Sequence, residues 1–181
     1  MKVSQGAIPD ILIVEPAVFD DARGFFLESY NERVLRETAG IDVKFVQDNH
    51  SRSVRNVLRG LHYQIQQPQG KLVRVVVGET FDVAVDLRRS SATFGRWMGQ
   101  RLSAENRSML WIPAGFAHGF LVLSEFADVL YKTTDYYAPQ HERCIAWNDA
   151  DIGIVWPLTN VPIVSDKDRR GVSLQSAETF P

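Results

Sequence analysis

The sequence predicts an all-β fold, a sandwich or barrel with a few short peripheral helices. Short segments of β-branched or alternating apolar residues recur along the chain, and turn signals such as Pro68-Gln69-Gly70 and Pro113-Ala114-Gly115 separate them. Many short strands at such intervals are typical of sandwiches and barrels. Only one segment has a clear helical pattern, so helices are expected at the periphery.

The strands are predicted wherever β-forming residues run for four residues or more between turn signals. A β-like run also surrounds His62. In chain order, the other predicted strands are Ile11 to Val14, Gly24 to Ser29, Val43 to Ser51, Leu72 to Val77, Phe81 to Leu87, Trp97 to Leu102, Met109 to Ile112, Gly119 to Leu123 and Val129 to Thr133.

The helix is predicted over Glu32 to Ala39, where Asn31 is suited to the N-cap and Gly40 to the C-terminal stop. The segment from Asp149 onward is richer in Pro, Asp and Gly, and we expect it to wrap around the barrel. The sequence therefore predicts one domain over residues 1–181.

Composition limits the classes of function. Hydrophobic residues make up 45% and charged residues 23%, which is usual for a soluble globular protein. The net charge of −2 provides no global basic field for nucleic acid, so an anionic ligand would need a local cluster of cations. Cys144 is the only cysteine, which excludes an intrachain disulfide. With no signal peptide or membrane span in the sequence, we expect a cytoplasmic protein.

The best indication of chemistry is His62, in the run Arg-Gly-Leu-His-Tyr-Gln, together with the distant cluster Ser165-Asp166-Lys167-Asp168. Histidine titrates near neutral pH, and a buried carboxylate can select its tautomer and raise its basicity. The combination suits a general base. The alternative is a core histidine and a C-terminal turn that never meet.

Strand alternation places Gln47 and Asn49 on the same face as Phe45, which suggests ligand contacts. The reverse orientation, with Asp48 and His50 inside, remains open at this point.

The strand pattern leaves two alternative positions open for each of two cations. Arg59 has the opposite parity from His62 and would reach the same cavity only from the strand end or across a bulge. Lys71 opens an apolar strand and is expected at a barrel mouth, with a solvated strand-end lysine as the alternative.

The segment Pro113 to Phe120 delivers His118 to the start of a strand through a tight turn, and its Pro-x-Gly-x-x-His pattern resembles the second motif of the cupin superfamily. Metal-binding cupins carry a His-x-His pair and a glutamate in the first motif. Here the corresponding segment has only His62, followed by Tyr63 and Gln64. Such a set would leave a transition metal under-coordinated, so a metal-free pocket is predicted.

Two tyrosines complete the candidate residues. Tyr131 lies in a predicted strand and Tyr137 near a barrel rim. A phenol can donate a proton, and a rim aromatic can stack on a base or a sugar. The alternative is that strand tyrosines are simply good strand formers.

The ordered set of motifs is more specific than any single one. The set comprises Asp21 to Glu28, Gln47 to Ser51, Arg59 to Gln64, Gly70 to Leu72, Val83 to Arg88, Ile112 to Phe120, Tyr131 to Thr133 and Ser165 to Asp168. From about Ile8 to Leu174 the chain resembles the dTDP-4-dehydrorhamnose 3,5-epimerase family.

The resemblance implies a homodimeric, cofactor-independent and metal-free cupin jelly roll that inverts C3 and C5 of dTDP-4-keto-6-deoxy-D-glucose. By the same resemblance, His62 is the base, Asp168 orients it, Tyr131 is the acid and Lys71 lies near the enolate. His118 matches the pocket histidine. The positions implied for nucleotide and phosphate binding are Arg23, Phe26, Glu28, Gln47, Asn49, Arg59 and Tyr137, with Arg23 to Glu28 reaching into the partner's site.

Two alternatives are open. A relative within the same fold can invert only C3 or only C5, and the residues for deprotonation would look the same. A cupin that merely binds a sugar nucleotide is the other alternative, although a binder needs no base, acid and enolate cation.

Overall fold

The computed structural model describes all residues from 1 to 181 and has thirteen strands and two short α-helices. The strands are β1 (Lys2–Gln5), β2 (Leu12–Glu15), β3 (Val18–Asp21), β4 (Gly24–Leu27), β5 (Gln47–Val54), β6 (Leu58–Gln64), β7 (Lys71–Val77), β8 (Glu79–Asp86), β9 (Trp97–Ser103), β10 (Met109–Ile112), β11 (Phe116–Val122), β12 (Phe126–Thr133) and β13 (Glu142–Cys144). The helices are α1 (Glu32–Ala39) and α2 (Asp166–Arg169), and single 3₁₀ turns cover Pro139–His141 and Leu174–Ser176.

Two antiparallel sheets form the body of the fold. The larger has the strand order β1-β2-β10-β7-β12-β5, and the smaller has the order β13-β6-β11-β8-β9. The hairpin β3–β4 forms a separate two-stranded sheet. The predicted all-β, cupin-type jelly roll with few short helices is confirmed. No helix is long and apolar enough to cross a membrane.

The apolar core lies between the two larger sheets. Val73 and Val129 from the six-stranded sheet share one buried cluster with Ala84 and Phe120 from the five-stranded sheet. Alternation along the strands directs such residues inward, and their removal from water stabilises the sandwich.

The smaller sheet is covered on its outer face as well. Ile152, Trp156 and Ala177 of the C-terminal segment belong to one buried cluster with Ala117 and Leu121 of β11. Because both of its faces are covered, β11 is buried at every residue. The segment after Asp149 thus packs along the sheet, as the sequence suggests.

Helix α1 has the predicted bounds. The side chain of Asn31 accepts a hydrogen bond from the backbone N–H of Val34, and Gly40 ends the helix with φ of 66°. Leu35 is its one buried residue and packs against Val14 of β2 on the outer face of the six-stranded sheet.

Some strands begin or end at other residues than predicted, because pairing with the neighbouring strand, and not the local residue pattern, decides where a strand starts. The strand predicted from Val43 begins at Gln47, because β5 pairs with β12 only from Gln47, opposite Thr133. The strands β1, β3 and β13 are absent from the prediction, since each is three or four residues long and at least half polar.

A buried carboxylate stabilises the turn after β8. Asp86 is fully buried and accepts hydrogen bonds from Arg88 Nη2 at 2.7 Å, Ser91 Oγ at 2.6 Å and Thr93 Oγ1 at 2.7 Å. Burial raises the pKa of Asp86, but the hydrogen bonds outweigh burial and lower it to about 2.

We expect Asp86→Asn to lower the free energy of unfolding by about 2 kcal/mol at neutral pH, because the ionised form is the one that the turn stabilises. The folded-state pKa is depressed, so the stabilisation is present above the ordinary pKa of 3.8 and is lost as the pH falls towards about 2. Urea unfolding at several pH values measures the difference.

The matched control is Asp10→Asn, which removes the other carboxylate on Arg88, at 2.6 Å but half exposed. Its expected cost is below about 1 kcal/mol. Equal losses for the two variants, or a difference that does not change with pH, would contradict the assignment.

Candidate active site

A cavity of about 340 Å³ opens at one end of the sandwich, lined by residues of both larger sheets. Eight of the predicted site residues line it: Gln47, Asn49, Arg59, His62, Lys71, His118, Tyr131 and Tyr137. Strands of both sheets contribute: β5, β7 and β12 from the larger, and β6 and β11 from the smaller.

His62 and Asp168 meet, although 106 residues separate them in the chain. His62 Nε2 lies 2.5 Å from Asp168 Oδ1. Helix α2 places the carboxylate there, and the Ser165 side chain caps the helix by accepting from the backbone N–H of Asp168 at 3.1 Å. The alternative, in which the two residues never meet, is wrong.

The pair has a defined protonation pattern. Burial raises the pKa of Asp168, but the hydrogen bond and charge of His62 outweigh burial and lower it. An ionised carboxylate can only accept, so the imidazole proton lies on Nε2 and the lone pair on Nδ1. The arrangement supplies an oriented base.

A second histidine and carboxylate lie beside the first pair. His118 on β11 is directly opposite His62 on β6, and its Nε2 lies 2.5 Å from Oδ1 of Asp82 on β8. Both residues are buried, and burial lowers the pKa of His118 despite the charge of Asp82. A neutral His118 follows, with Nε2–H donated to Asp82.

Lys71 is buried and not a solvated strand-end lysine, with only 8% of its surface exposed. Its Nζ lies 3.5 Å from the backbone oxygen of His62. Burial lowers the pKa of Lys71 to about 8, against the raising effect of Glu142 and Asp82. The ammonium is therefore present at neutral pH with little hydration.

Arg59 reaches the cavity across a β-bulge. In the pairing of β6 with β11, His62 is opposite His118 but Arg59 is opposite Phe120, so β6 holds one extra residue. Gly60 makes the bulge possible, because its φ is 112° and a Cβ there would lie 2.6 Å from the backbone oxygen of His118. Arg59 and His62 thereby line one cavity despite their opposite parity.

The amides Gln47 and Asn49 face the cavity, while Asp48 and His50 are exposed. The orientation proposed for the amides is thus confirmed. Gln47 Nε2 donates to Asn49 Oδ1 at 2.9 Å, and Gln47 Oε1 accepts from the backbone N–H of Tyr137 at 3.0 Å. The amide ladder therefore also anchors the rim loop.

Of the two tyrosines in the lining, Tyr131 is partly buried and Tyr137 is exposed at the rim. Tyr131 on β12 is partly buried, and burial raises its pKa, so it is a neutral phenol and a potential proton donor. Tyr137 is exposed at the rim and donates its hydroxyl to Glu142 Oε2 at 3.0 Å. Its pKa is raised chiefly by that hydrogen bond.

Sequence reasoning missed three residues of this site: Asp82, Glu142 and Lys167. Lys167 Nζ lies 2.8 Å from Glu142 Oε1, and both side chains line the cavity. Asp82 interrupts an apolar strand, and that isolated carboxylate was the signal that could have been used. Glu142 lies in a polar stretch with no periodic pattern, so the sequence contains no signal that identifies it as a site residue.

Arg23, Phe26 and Glu28 do not line this cavity. They lie on or next to the β3–β4 hairpin, where Arg23 pairs with Asp21 and Phe26 is 68% exposed. The structure therefore does not bring these three predicted residues together with the others within one chain.

The metal ligands of a cupin do not assemble here. Nε2 of His62 is hydrogen-bonded to Asp168, and Nε2 of His118 is hydrogen-bonded to Asp82. The one group of three potential metal donors consists of His62, Cys144 and Asp168, and it involves neither His118 nor a glutamate.

Comparison with known proteins gives a consistent result. Residues 5–176 match the family model described as dTDP-4-dehydrorhamnose 3,5-epimerase. The chain is 64% identical over 181 residues, the full length of both, to the dTDP-4-dehydrorhamnose 3,5-epimerase of Pseudomonas aeruginosa.

Two solved structures are informative. A dTDP-6-deoxy-D-glucose-3,5-epimerase from Legionella pneumophila, in complex with dTDP-4-keto-L-rhamnose, has a TM-score of 0.96 and 50% identity over 98% of this chain and 94% of its own. A 3'-monoepimerase from Streptomyces bikiniensis, in complex with dTDP-quinovose, has a TM-score of 0.89 and 34% identity over 97% of this chain and 88% of its own.

We expect the Lys71 ammonium to titrate near pH 8, because burial disfavours its charged form. NMR of lysine-labelled protein, following the side-chain carbon next to the nitrogen, measures the midpoint, and Lys71→Met assigns the signal by its disappearance. A midpoint at the ordinary value of 10.5 would show that water reaches the ammonium freely.

Proposed function

This chain belongs to the dTDP-4-dehydrorhamnose 3,5-epimerase family, and from that premise we propose how its cavity works. The enzyme inverts C3 and C5 of dTDP-4-keto-6-deoxy-D-glucose and yields dTDP-4-keto-L-rhamnose for dTDP-L-rhamnose biosynthesis. The observation that carries the proposal is the oriented His62–Asp168 pair in one cavity with Lys71 and Tyr131. We also propose the cytoplasm as its location.

Deprotonation next to the ketone is the difficult step. A proton alpha to a carbonyl becomes acidic enough only if fixed positive charge or donors meet the developing enolate oxygen, a contribution of about 3 to 4 kcal/mol per good donor in comparable sites. Lys71 fits this role because its ammonium is buried and already desolvated. His118 lies directly opposite His62 and lines the same part of the cavity.

Inversion needs a base on one face of the ring and a donor on the other. We assign the base to His62 Nδ1, which the Nε2 contact with Asp168 leaves with the lone pair. We assign the donor to Tyr131, since a phenol with a raised pKa holds its proton at neutral pH. The same two groups serve both carbons if the ring presents C3 and C5 in turn.

The nucleotide half of the substrate would occupy the outer part of the cavity. Arg59 offers a guanidinium for the diphosphate. Gln47 and Asn49 offer amides for the base or sugar, and the exposed ring of Tyr137 offers a stacking surface at the rim.

We further propose that the enzyme acts as a homodimer in which Arg23, Phe26 and Glu28 enter the partner's cavity. Two facts support this. These residues lie outside their own chain's cavity, and their hairpin exposes Phe19, Phe25 and Phe26 together, which is typical of an interaction surface.

A single-centre epimerase is the second candidate, favoured by the fold shared with the 3'-monoepimerase of Streptomyces bikiniensis. Incubation with dTDP-4-keto-6-deoxyglucose in deuterium oxide separates the candidates. Label and inversion at both C3 and C5 are expected. Label at one carbon alone would indicate the single-centre reaction, and no label would indicate a binding protein without turnover.

We expect Asp168→Asn to fold normally and to lower turnover by about 10- to 100-fold, because the amide no longer selects the His62 tautomer with a free Nδ1. Steady-state epimerisation measures the loss. Asp166→Asn is the matched control, since Asp166 lies on the same short helix with a side chain 90% exposed. Unchanged turnover in Asp168→Asn would mean that the carboxylate does not act through His62.

Tyr131→Phe distinguishes proton delivery from proton removal. The ring and its packing remain, so His62 can still form the enolate and return the proton to the face it came from. We expect deuterium exchange to persist while net inversion falls by about 100-fold or more. Tyr136→Phe, at an exposed neighbouring tyrosine, is the control. An equal decline of exchange and inversion would assign Tyr131 to enolate formation instead.

Shared sites can be tested by mixing two inactive variants, Arg23→Ala and His62→Ala. If Arg23 serves the partner's cavity, each mixed dimer contains one cavity with both residues intact. Random mixing then restores about a quarter of the activity of the unmodified dimer. If mixing after unfolding and refolding together restores nothing, Arg23 serves its own cavity, and full activity of Arg23→Ala alone would show that it serves none.

A further inference from the structure

Cys144 lies beside the His62–Asp168 pair but does not line the cavity. Its strand β13 pairs with β6 so that Cys144 is directly opposite His62. Cys144 Sγ lies 3.9 Å from Asp168 Oδ1, and the sulfur, the imidazole nitrogen and the carboxylate oxygen all fall within 4.8 Å of one another. Nothing in the proposed reaction uses this thiol.

We propose that His62, Cys144 and Asp168 form an inhibitory site for a borderline-soft divalent cation such as Zn²⁺. One nitrogen, one sulfur and one oxygen donor match the ligands that zinc prefers. Tetrahedral zinc, with bonds of about 2.0 to 2.3 Å, needs donor atoms roughly 3.3 to 3.7 Å apart. Two separations found here, 2.5 Å and 3.9 Å, bracket that range, and all three donor atoms lie within 4.8 Å, so the side chains must shift by about 1 Å to close on the ion.

The charges around the three donors favour a cation. Asp168 and a Cys144 thiolate together neutralise a doubly charged ion, and Glu142 lies on the same strand as Cys144. Two opposing charges lie nearby: Lys167, whose Nζ is paired with Glu142 at 2.8 Å, and Lys71, whose Nζ lies 3.5 Å from the backbone oxygen of His62.

Metal binding would disable the base by moving one proton. The cation takes Nε2 of His62, the ring proton shifts from Nε2 to Nδ1, and the thiol proton leaves to water. Nδ1 then has no lone pair with which to remove a substrate proton. The site differs from a cupin metal centre, because Cys144 and Asp168 lie outside both cupin motifs. His118 takes no part in it, since its Nε2 is hydrogen-bonded to Asp82.

Co²⁺ is the probe that tests binding without activity. Cys144 is the only cysteine, so a sulfur-to-cobalt charge-transfer band in the chelator-treated protein can arise only from this residue. We expect one Co²⁺ per chain with the intense visible bands of tetrahedral coordination, and displacement of Co²⁺ by Zn²⁺. Absence of the charge-transfer band in the unmodified protein overturns the proposal, whether or not the protein is an epimerase.

The second arm measures inhibition. Cys144→Ala should keep its basal epimerisation and need at least tenfold more Zn²⁺ for half inhibition, and a chelator should restore the unmodified enzyme. His50→Ala is the matched control, because His50 lies 3.5 Å from Asp128 at the surface and could bind zinc independently. Equal inhibition of Cys144→Ala and the unmodified enzyme, or relief of inhibition by His50→Ala, would place the zinc elsewhere and overturn the proposal.

Discussion

The antiparallel pairing of β6 with β11 is the constraint on which the rest of the site depends. It sets His62 directly opposite His118. Nε2 of His62 is hydrogen-bonded to the buried carboxylate of Asp168, and Nε2 of His118 to that of Asp82. A ring held in this way has one tautomer and one orientation. The same contacts place a carboxylate on Nε2 of both rings, an arrangement that suits proton transfer.

The second requirement is positive charge in a chain whose net charge is −2. The fold meets it locally, with Arg59, Lys71 and Lys167 around a single cavity. Burying an ammonium is unfavourable, and the lowered pKa of Lys71 reflects this cost. The carboxylates of Asp82 and Glu142 offset part of it. An ammonium without hydration interacts strongly with any negative charge that develops nearby, which is what an enolate requires.

Much of the fold and part of the site could be predicted from the sequence, since both follow from local rules. Alternation along β5 selected Gln47 and Asn49, and cap chemistry defined α1. The need for a carboxylate partner connected His62 with the cluster Ser165 to Asp168, and the family resemblance selected Asp168 within it. Parity indicated that Arg59 reaches the cavity from the strand end or across a bulge, and the bulge at Gly60 depends on the close approach of β11. Asp82 left one usable signal, a carboxylate in an apolar strand, whereas Glu142 could not be predicted because it lies in a polar stretch and its partner Lys167 lies on a distant helix.

The β3–β4 hairpin holds an arginine, Arg23, outside the cavity of its own chain. A diphosphate is best held by guanidinium groups in pairs, and Arg59 is the single arginine in the cavity lining. Arg23 lies on the hairpin and pairs only with Asp21, in a solvent-exposed contact that contributes little to stability. An arginine held so weakly beside exposed Phe25 and Phe26 costs little to move onto an anionic ligand. Association of two chains would then bury the aromatic rings and complete the phosphate site in the same step.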